Sequence, residues 1–192
     1  MDDICLETER LVLRTIVEAD VDHLIALDGD PAVMRFLTGG KPTPPDRIRH
    51  EILPRLLAYN DRSDGFGRWA TVEKATGEFL GWHLFGPTGD MSDGVVELGY
   101  RLRRAAWGKG YGTEASRALV DRGFSELDVR RVVAFTMSVN TASRKVMEKS
   151  GLRFVRTFHQ DWDDPIEGTE QGEVEYALTK DEWLRSGGAR RV

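Results

Sequence analysis

Trp107-Gly108-Lys109-Gly110-Tyr111-Gly112-Thr113-Glu114-Ala115 is the stretch on which the fold turns. Before it, Val95-Val96-Glu97-Leu98-Gly99-Tyr100-Arg101-Leu102 reads as a strand; after it, Ala115, Leu119, Val120, Phe124 and Leu127 recur at helical spacing. Gly108, Gly110 and Gly112 therefore alternate at a strand-to-helix junction. Glycine lets a backbone come within hydrogen-bond distance of a ligand, and the first N–H groups of a helix lack intrahelical partners. With the helix dipole, these make a seat for a diphosphate. A glycine-rich turn without a ligand would show the same pattern. It is not a Walker loop, since no Lys-Ser or Lys-Thr follows the last glycine. Nor is it a dinucleotide fingerprint, because the strand before it belongs to a meander.

That meander extends upstream. A strand around Trp69, Thr71 and Val72 turns at Gly77 into Phe79–Phe85, and Gly86-Pro87-Thr88-Gly89 turns again into Val95–Leu102. Gly99 suggests a bulge or a close backbone approach. In the first third, Leu11-Val12-Leu13 predicts an opening strand and residues 19–28 a helix, with another from Asp30-Pro31. Residues 38–46, dense in Gly and Pro, predict a loop, and the helix from about Asp46 should kink or split at Pro54. Downstream come a strand at Arg131–Thr136, a helix capped by Asn140 and stopped at Gly151, and strands at Phe154-Val155 and Val174–Leu178. Thr179 should cap a last helical turn. Meander strands joined to strand–helix–strand units require mixed pairing. The expected fold is α/β, a mixed central sheet flanked by helices on both faces, as one domain over residues 1–185 with a disordered tail at 186–192.

Composition narrows the function. The 192 residues carry a net charge of -5, whereas a duplex-binding protein usually shows a basic excess, so nucleic acid is not expected as a partner. No apolar run reaches the roughly 18 residues of a spanning helix, and no signal peptide is evident, so the reading is cytoplasmic with no membrane partner. One cysteine, Cys5, excludes an intrachain disulfide and a cysteine-rich metal site, and its acidic neighbours disfavour a reactive thiolate. No metal is expected.

Two long blocks carry a resemblance. Glu97–Leu102 with Trp107–Ala115 resembles the acyl-CoA signature of the GCN5-related N-acetyltransferase (GNAT) superfamily, and Asn140-Thr141-Ala142-Ser143-Arg144-Lys145-Val146-Met147-Glu148-Lys149-Ser150-Gly151-Leu152 resembles its second signature. The opening Leu6-Glu7-Thr8-Glu9-Arg10-Leu11-Val12-Leu13-Arg14 is similar to the branch that includes the ribosomal-protein alanine N-acetyltransferases. The likeness covers residues 6 to 184. Trp107 stands where the superfamily often has Gln or Arg, a substitution usual in that branch.

The resemblance implies the GNAT fold, acetyl-CoA as co-substrate, and direct attack by a primary amine (a small molecule or a protein N-terminus) in a ternary complex. It assigns donor binding to Leu98, Gly99, Tyr100, Gly108, Lys109, Gly110, Tyr111, Gly112, Thr113, Asn140 and Ser143. Asn140 would orient the pantetheine or acceptor, though it is equally a good helix cap. Ser143 would bond to or protonate the departing sulfur, with Tyr111 a weaker acid. Glu97 is the candidate base; His83, His159 or water are alternatives. Lys109 and Arg104 are either phosphate partners or solvated cations. The acidic run Asp161, Asp163, Asp164, Glu167, Glu170 and Glu173 is either a rim that attracts cationic amines or a solvated loop. A non-catalytic acyl-CoA-binding or sensor module would carry the same loop. The oligomeric state is left open, a homodimer included.

Overall fold

The computed structural model describes residues 4–59, 65–89 and 93–188. Eight strands form one mixed sheet: β1 Ile4–Glu7, β2 Leu11–Thr15, β3 Gly67–Glu73, β4 Phe79–Pro87, β5 Val95–Leu102, β6 Arg131–Met137, β7 Arg153–Phe158 and β8 Glu173–Thr179. Their order is β1-β2-β3-β4-β5-β6-β8-β7. The helices are α1 Val21–Gly29, α2 Pro31–Thr38, α3 Pro45–Arg47, α4 Leu53–Tyr59, α5 Tyr111–Glu126, α6 Thr141–Lys149 and α7 Lys180–Arg185. The chain packs as two compact units, Met1–Leu84 with Tyr100–Ala115, and Phe85–Gly99 with Ser116–Val192.

In the first unit β1, β2 and β3 pair antiparallel, with Leu13 opposite Thr71 and Thr15 opposite Trp69. Ile16, Leu24, Leu27, Ile48, Leu53, Leu56, Ala70, Phe79 and Trp82 make its core. Each of the larger aliphatic or phenyl side chains, fully buried, contributes about 1.5–3 kcal/mol. Asp30 caps α2 by accepting from the Ala32 N–H at 2.8 Å, with Pro31 in the first turn where its missing N–H costs nothing.

Two expectations are corrected in this unit. A strand, β1, precedes the one at Leu11: its four residues alternate too briefly to register alone, and pairing with β2 makes it. The loop expected at 38–46 is shorter, because α2 runs through Thr38 and α3 begins at Pro45, a residue suited to the first turn of a helix. The split expected at Pro54 is found: α3 gives way to a π-helical turn at Ile48–Ile52, and α4 begins at Leu53, one residue before the proline.

In the second unit β5 runs parallel to β6, Glu97 facing Val133 in register, while β8 pairs antiparallel with both β6 and β7. Leu119, Val120 and Phe124 bury the inner side of α5, and the Trp183 indole donates to Asp121 at 2.6 Å. Gly123 is small because Phe85 fills its place: a Cβ there would lie 2.5 Å from the ring. Thr179 and Glu182 form a reciprocal capping box at α7. The tail expected from Ser186 onward is packed at Gly188, which lies against the Trp183 indole; 189–192 fall outside the described residues.

Candidate active site

In the first unit the glycine stretch is a turn ending in a helix. Strand β5 stops at Leu102, a 3₁₀ turn at Arg104–Ala106 follows, and the Trp107 indole N–H donates back to the Leu102 carbonyl at 2.7 Å. Gly108 and Gly110 take φ of +75° and +83°, the left-handed region that other residues enter only with strain. The first α-helical bond runs from the Glu114 N–H to the Gly110 carbonyl at 3.0 Å, so the N–H groups of Tyr111, Gly112 and Thr113 precede the helix's own bonding pattern. Gly112 is buried, Thr113 half-buried, and Lys109 and Arg104 exposed.

Tyr111 turns its hydroxyl to Glu73. It donates to the Glu73 carboxylate, and that bond raises the phenol above its ordinary pKa while holding Glu73 below its own. Its ring is buried, with the Arg10 guanidinium 4.6 Å over its centre. Glu114, one residue beyond the last of the proposed contacts, accepts from the Thr8 hydroxyl at 2.6 Å, the Arg10 N–H at 2.9 Å and Arg10 Nε at 2.7 Å. Burial raises its carboxyl, and these donors outweigh that, so its pKa falls.

His83 is fully buried beside the first turn of α5. Its Nδ1 lies 2.7 Å from the Thr71 hydroxyl, its ring 5.7 Å from that of half-buried Tyr100. The Gly112 backbone lies close to the ring, while Nε2 closes no hydrogen bond of ordinary geometry. The arrangement suits the neutral tautomer with its proton on Nε2, Nδ1 accepting from Thr71. Desolvation pulls the ring from an ordinary 6.5 to about 4, against the pull of the Gly112 carbonyl. Gly81 marks a tight approach of backbones: at φ +141°, a Cβ on it would stand 2.1 Å from the Arg101 carbonyl oxygen.

In the second unit Leu98 is buried and Glu97 and Gly99 are half-buried on β5. Asn140 caps α6: Oδ1 accepts from the Ser143 N–H at 3.2 Å and Nδ2 donates to the Thr136 hydroxyl at 3.1 Å. That ties Ser143, half-buried in the first turn, to the cap. His159 is exposed, its Nε2 3.3 Å from the Glu170 carbonyl. Asp161, Asp163, Asp164, Glu167 and Glu170 are exposed. Glu173, grouped with them in the sequence, is not: it is 5% exposed and accepts from the Trp162 indole at 2.7 Å and the Gln160 amide at 3.2 Å. Tyr100, Gly108, Lys109, Gly110, Tyr111, Gly112 and Thr113 belong to the first unit, and Glu97, Leu98, Gly99, Asn140 and Ser143 to the second. The partners Thr8, Arg10 and Glu73 escaped sequence reasoning, although the block Leu6–Arg14 was a signal without a role.

The acetyltransferase (GNAT) domain model matches residues 10–153, and the chain belongs to that family. It is an acyl-CoA-dependent acetyltransferase with the GNAT fold. Among curated relatives, the FsC-acetyl coenzyme A-N(2)-transacetylase of Aspergillus fumigatus is 36% identical over 186 residues, 94% of this chain and 78% of that one. Among solved structures, a GNAT-family acetyltransferase from Bacillus anthracis superposes with a TM-score of 0.78 at 22% identity, covering 92% of this chain and 98% of that one. The ribosomal alpha-N-protein acetyltransferase RimL, in complex with coenzyme A, superposes with a TM-score of 0.75 at 20% identity, covering 94% and 99%. Among the described residues no helix is long and apolar enough to cross a membrane.

Proposed function

We propose that residues 1–185 act as one N-acetyltransferase domain that moves the acetyl group of acetyl-CoA onto a primary amine by direct attack. The observation that carries this reading is the turn at Gly108–Gly112, two left-handed glycines opening a sixteen-residue helix within a chain of the GNAT family. The residues fit the donor: N–H groups at a helix start suit a diphosphate, and exposed Lys109 and Arg104 add positive charge.

Acetyl-CoA supplies the acyl group as a thioester. The amine nitrogen attacks the thioester carbon, the C–S bond breaks, and the proton lost by nitrogen goes to a base. Glu97, half-buried on β5, is the proposed base, directly or through water. Ser143 protonates the departing sulfur. Backbone of Leu98, Gly99 and Tyr100 pairs with the pantetheine arm and offers an N–H to the developing oxyanion. Asn140 acts through the cap it forms, holding the first turn of α6 and Ser143 in place. The base stays open beyond Glu97: buried His83 favours its neutral form but faces no solvent, whereas His159 is exposed.

For the acceptor, the opening block and the likeness to RimL support a protein N-terminus, and the fungal N(2)-transacetylase supports transfer to nitrogen. Incubation with acetyl-CoA and a panel of peptides, polyamines and amino-bearing small molecules, read by CoA release and mass spectrometry of the products, tests the proposal. CoA released in step with an N-acetylated product supports it. Tight CoA binding with no turnover on any amine would make this an acyl-CoA-binding module instead.

A further inference from the structure

We propose that Arg10 and Thr8, acting through Glu114, are positioning residues for the diphosphate turn, so that the opening block of the chain exists to present the donor loop. The inference rests on the donor reading above.

Arg10 lies between β1 and β2, about a hundred residues from the turn, yet one guanidinium spans both ends of it. Nε and Nη2 hold the Glu114 carboxylate at 2.7 and 2.6 Å, and Nη1 donates to the Lys109 carbonyl at 3.0 Å. Thr8 adds its hydroxyl to the same carboxylate at 2.6 Å, and accepts the Leu11 N–H at 3.0 Å, which fixes the bend that carries Arg10. Beneath the fork, Tyr111 is pinned to Glu73. The turn is therefore gripped at Lys109, Tyr111 and Glu114.

Two consequences follow from elementary chemistry. In a trans peptide the C=O and N–H point in opposite directions. Holding the Lys109 carbonyl toward Arg10 therefore aims the Gly110 N–H away from the guanidinium, on the opposite side of the turn. Second, Glu114 sits in the first turn of α5, where an unneutralised carboxylate would repel an incoming phosphate. Arg10 cancels that charge. Its loss should harm more than the loss of Glu114, because it leaves the carboxylate bare as well as the turn ungripped.

The test compares CoA with pantetheine, which has the same thiol arm but no diphosphate, in wild type, Arg10→Gln, Glu114→Gln, the double variant and Arg10→Lys. Dissociation constants come from calorimetry for CoA and from competition for pantetheine, with thermal unfolding as the check on folding. Arg10→Gln should weaken CoA about tenfold, the size expected for losing a charge-assisted pair, and pantetheine less than about twofold. Glu114→Gln should cost less, and the double variant no more than Arg10→Gln alone, since both groups serve one interaction. Arg10→Lys, which keeps the charge but not the fork, should fall between and serves if the glutamine variants do not fold. Equal losses for CoA and pantetheine would mean the pair merely supports the fold, and unchanged CoA affinity would remove it from the site; either result overturns the inference. A wild-type protein that binds no CoA would instead overturn the donor reading, and this inference with it.

Discussion

Acid should unfold this protein partly through one imidazole. His83 is fully buried, and burial lowers its pKa from 6.5 to about 4. Between those values the unfolded chain holds a proton on His83 that the folded chain does not. The unfolded state therefore binds more protons, and stability rises with pH through that window. Acidification begins to cost stability near 6.5, and the cost is complete below about 4. Integrating from about pH 7.5 to about pH 5 gives a loss of about 2 kcal/mol from this group alone. The perturbation is His83→Gln, which keeps a donor beside the Gly112 carbonyl but cannot titrate. Urea unfolding of both proteins across that pH range is the assay. The variant has its own baseline stability, so the readout is the difference in slope against pH. Wild type should lose about 2 kcal/mol more than the variant. Parallel pH dependences would refute the argument, because they would mean the buried ring is protonated in both states or in neither.

Other expectations concern the site. Gly110→Val puts a β-branched residue at φ +83°, with its Cβ 3.4 Å from Arg10 Nη2; CoA binding measured by calorimetry should be abolished while circular dichroism still reports the fold. Ser143→Ala should lower kcat by about 10²–10⁴-fold and raise the KM for acetyl-CoA by less, provided the chemical step limits the rate. Replacing Asp163, Asp164 and Glu167 by their amides should raise KM for a dicationic amine, spare a neutral one, and flatten the salt dependence of kcat/KM, since screening sets in near 10 Å at about 0.1 M salt. Identical salt slopes in wild type and variant would make the segment a solvated loop.

Local signals proved legible wherever a single residue type has a single physical use. Asp30, Asn140 and Thr179 cap helices, Gly151 leaves α6 at φ +97°, and Gly77 turns at φ +71°. The glycine turn and the helix after it could be read for the same reason. What escaped depends on partners remote in sequence. Strand β1 exists because β2 pairs with it, and four residues are too few to show a period. Glu173 sits among acidic neighbours but turns inward to Trp162 and Gln160, a direction that charge patterning does not encode. The grip of Arg10 on Glu114 joins positions 104 apart. The close approach at Gly81 in β4 also escaped, because its crowding comes from the backbone of Arg101 and Leu102, about twenty residues away in sequence.

Gly81 has a practical consequence for anyone who varies this protein by saturation mutagenesis. It carries no functional group, so a survey of candidate site residues would be expected to pass over it. Yet the backbone of Arg101 and Leu102 occupies the volume of its missing side chain, and the Leu102 carbonyl is the anchor of Trp107 at the head of the glycine turn. Even alanine at position 81 must push that anchor outward. Tolerance maps should therefore show a silent-looking glycine as intransigent as those of the turn itself, and an enzyme engineer should leave it fixed when diversifying the strand around it.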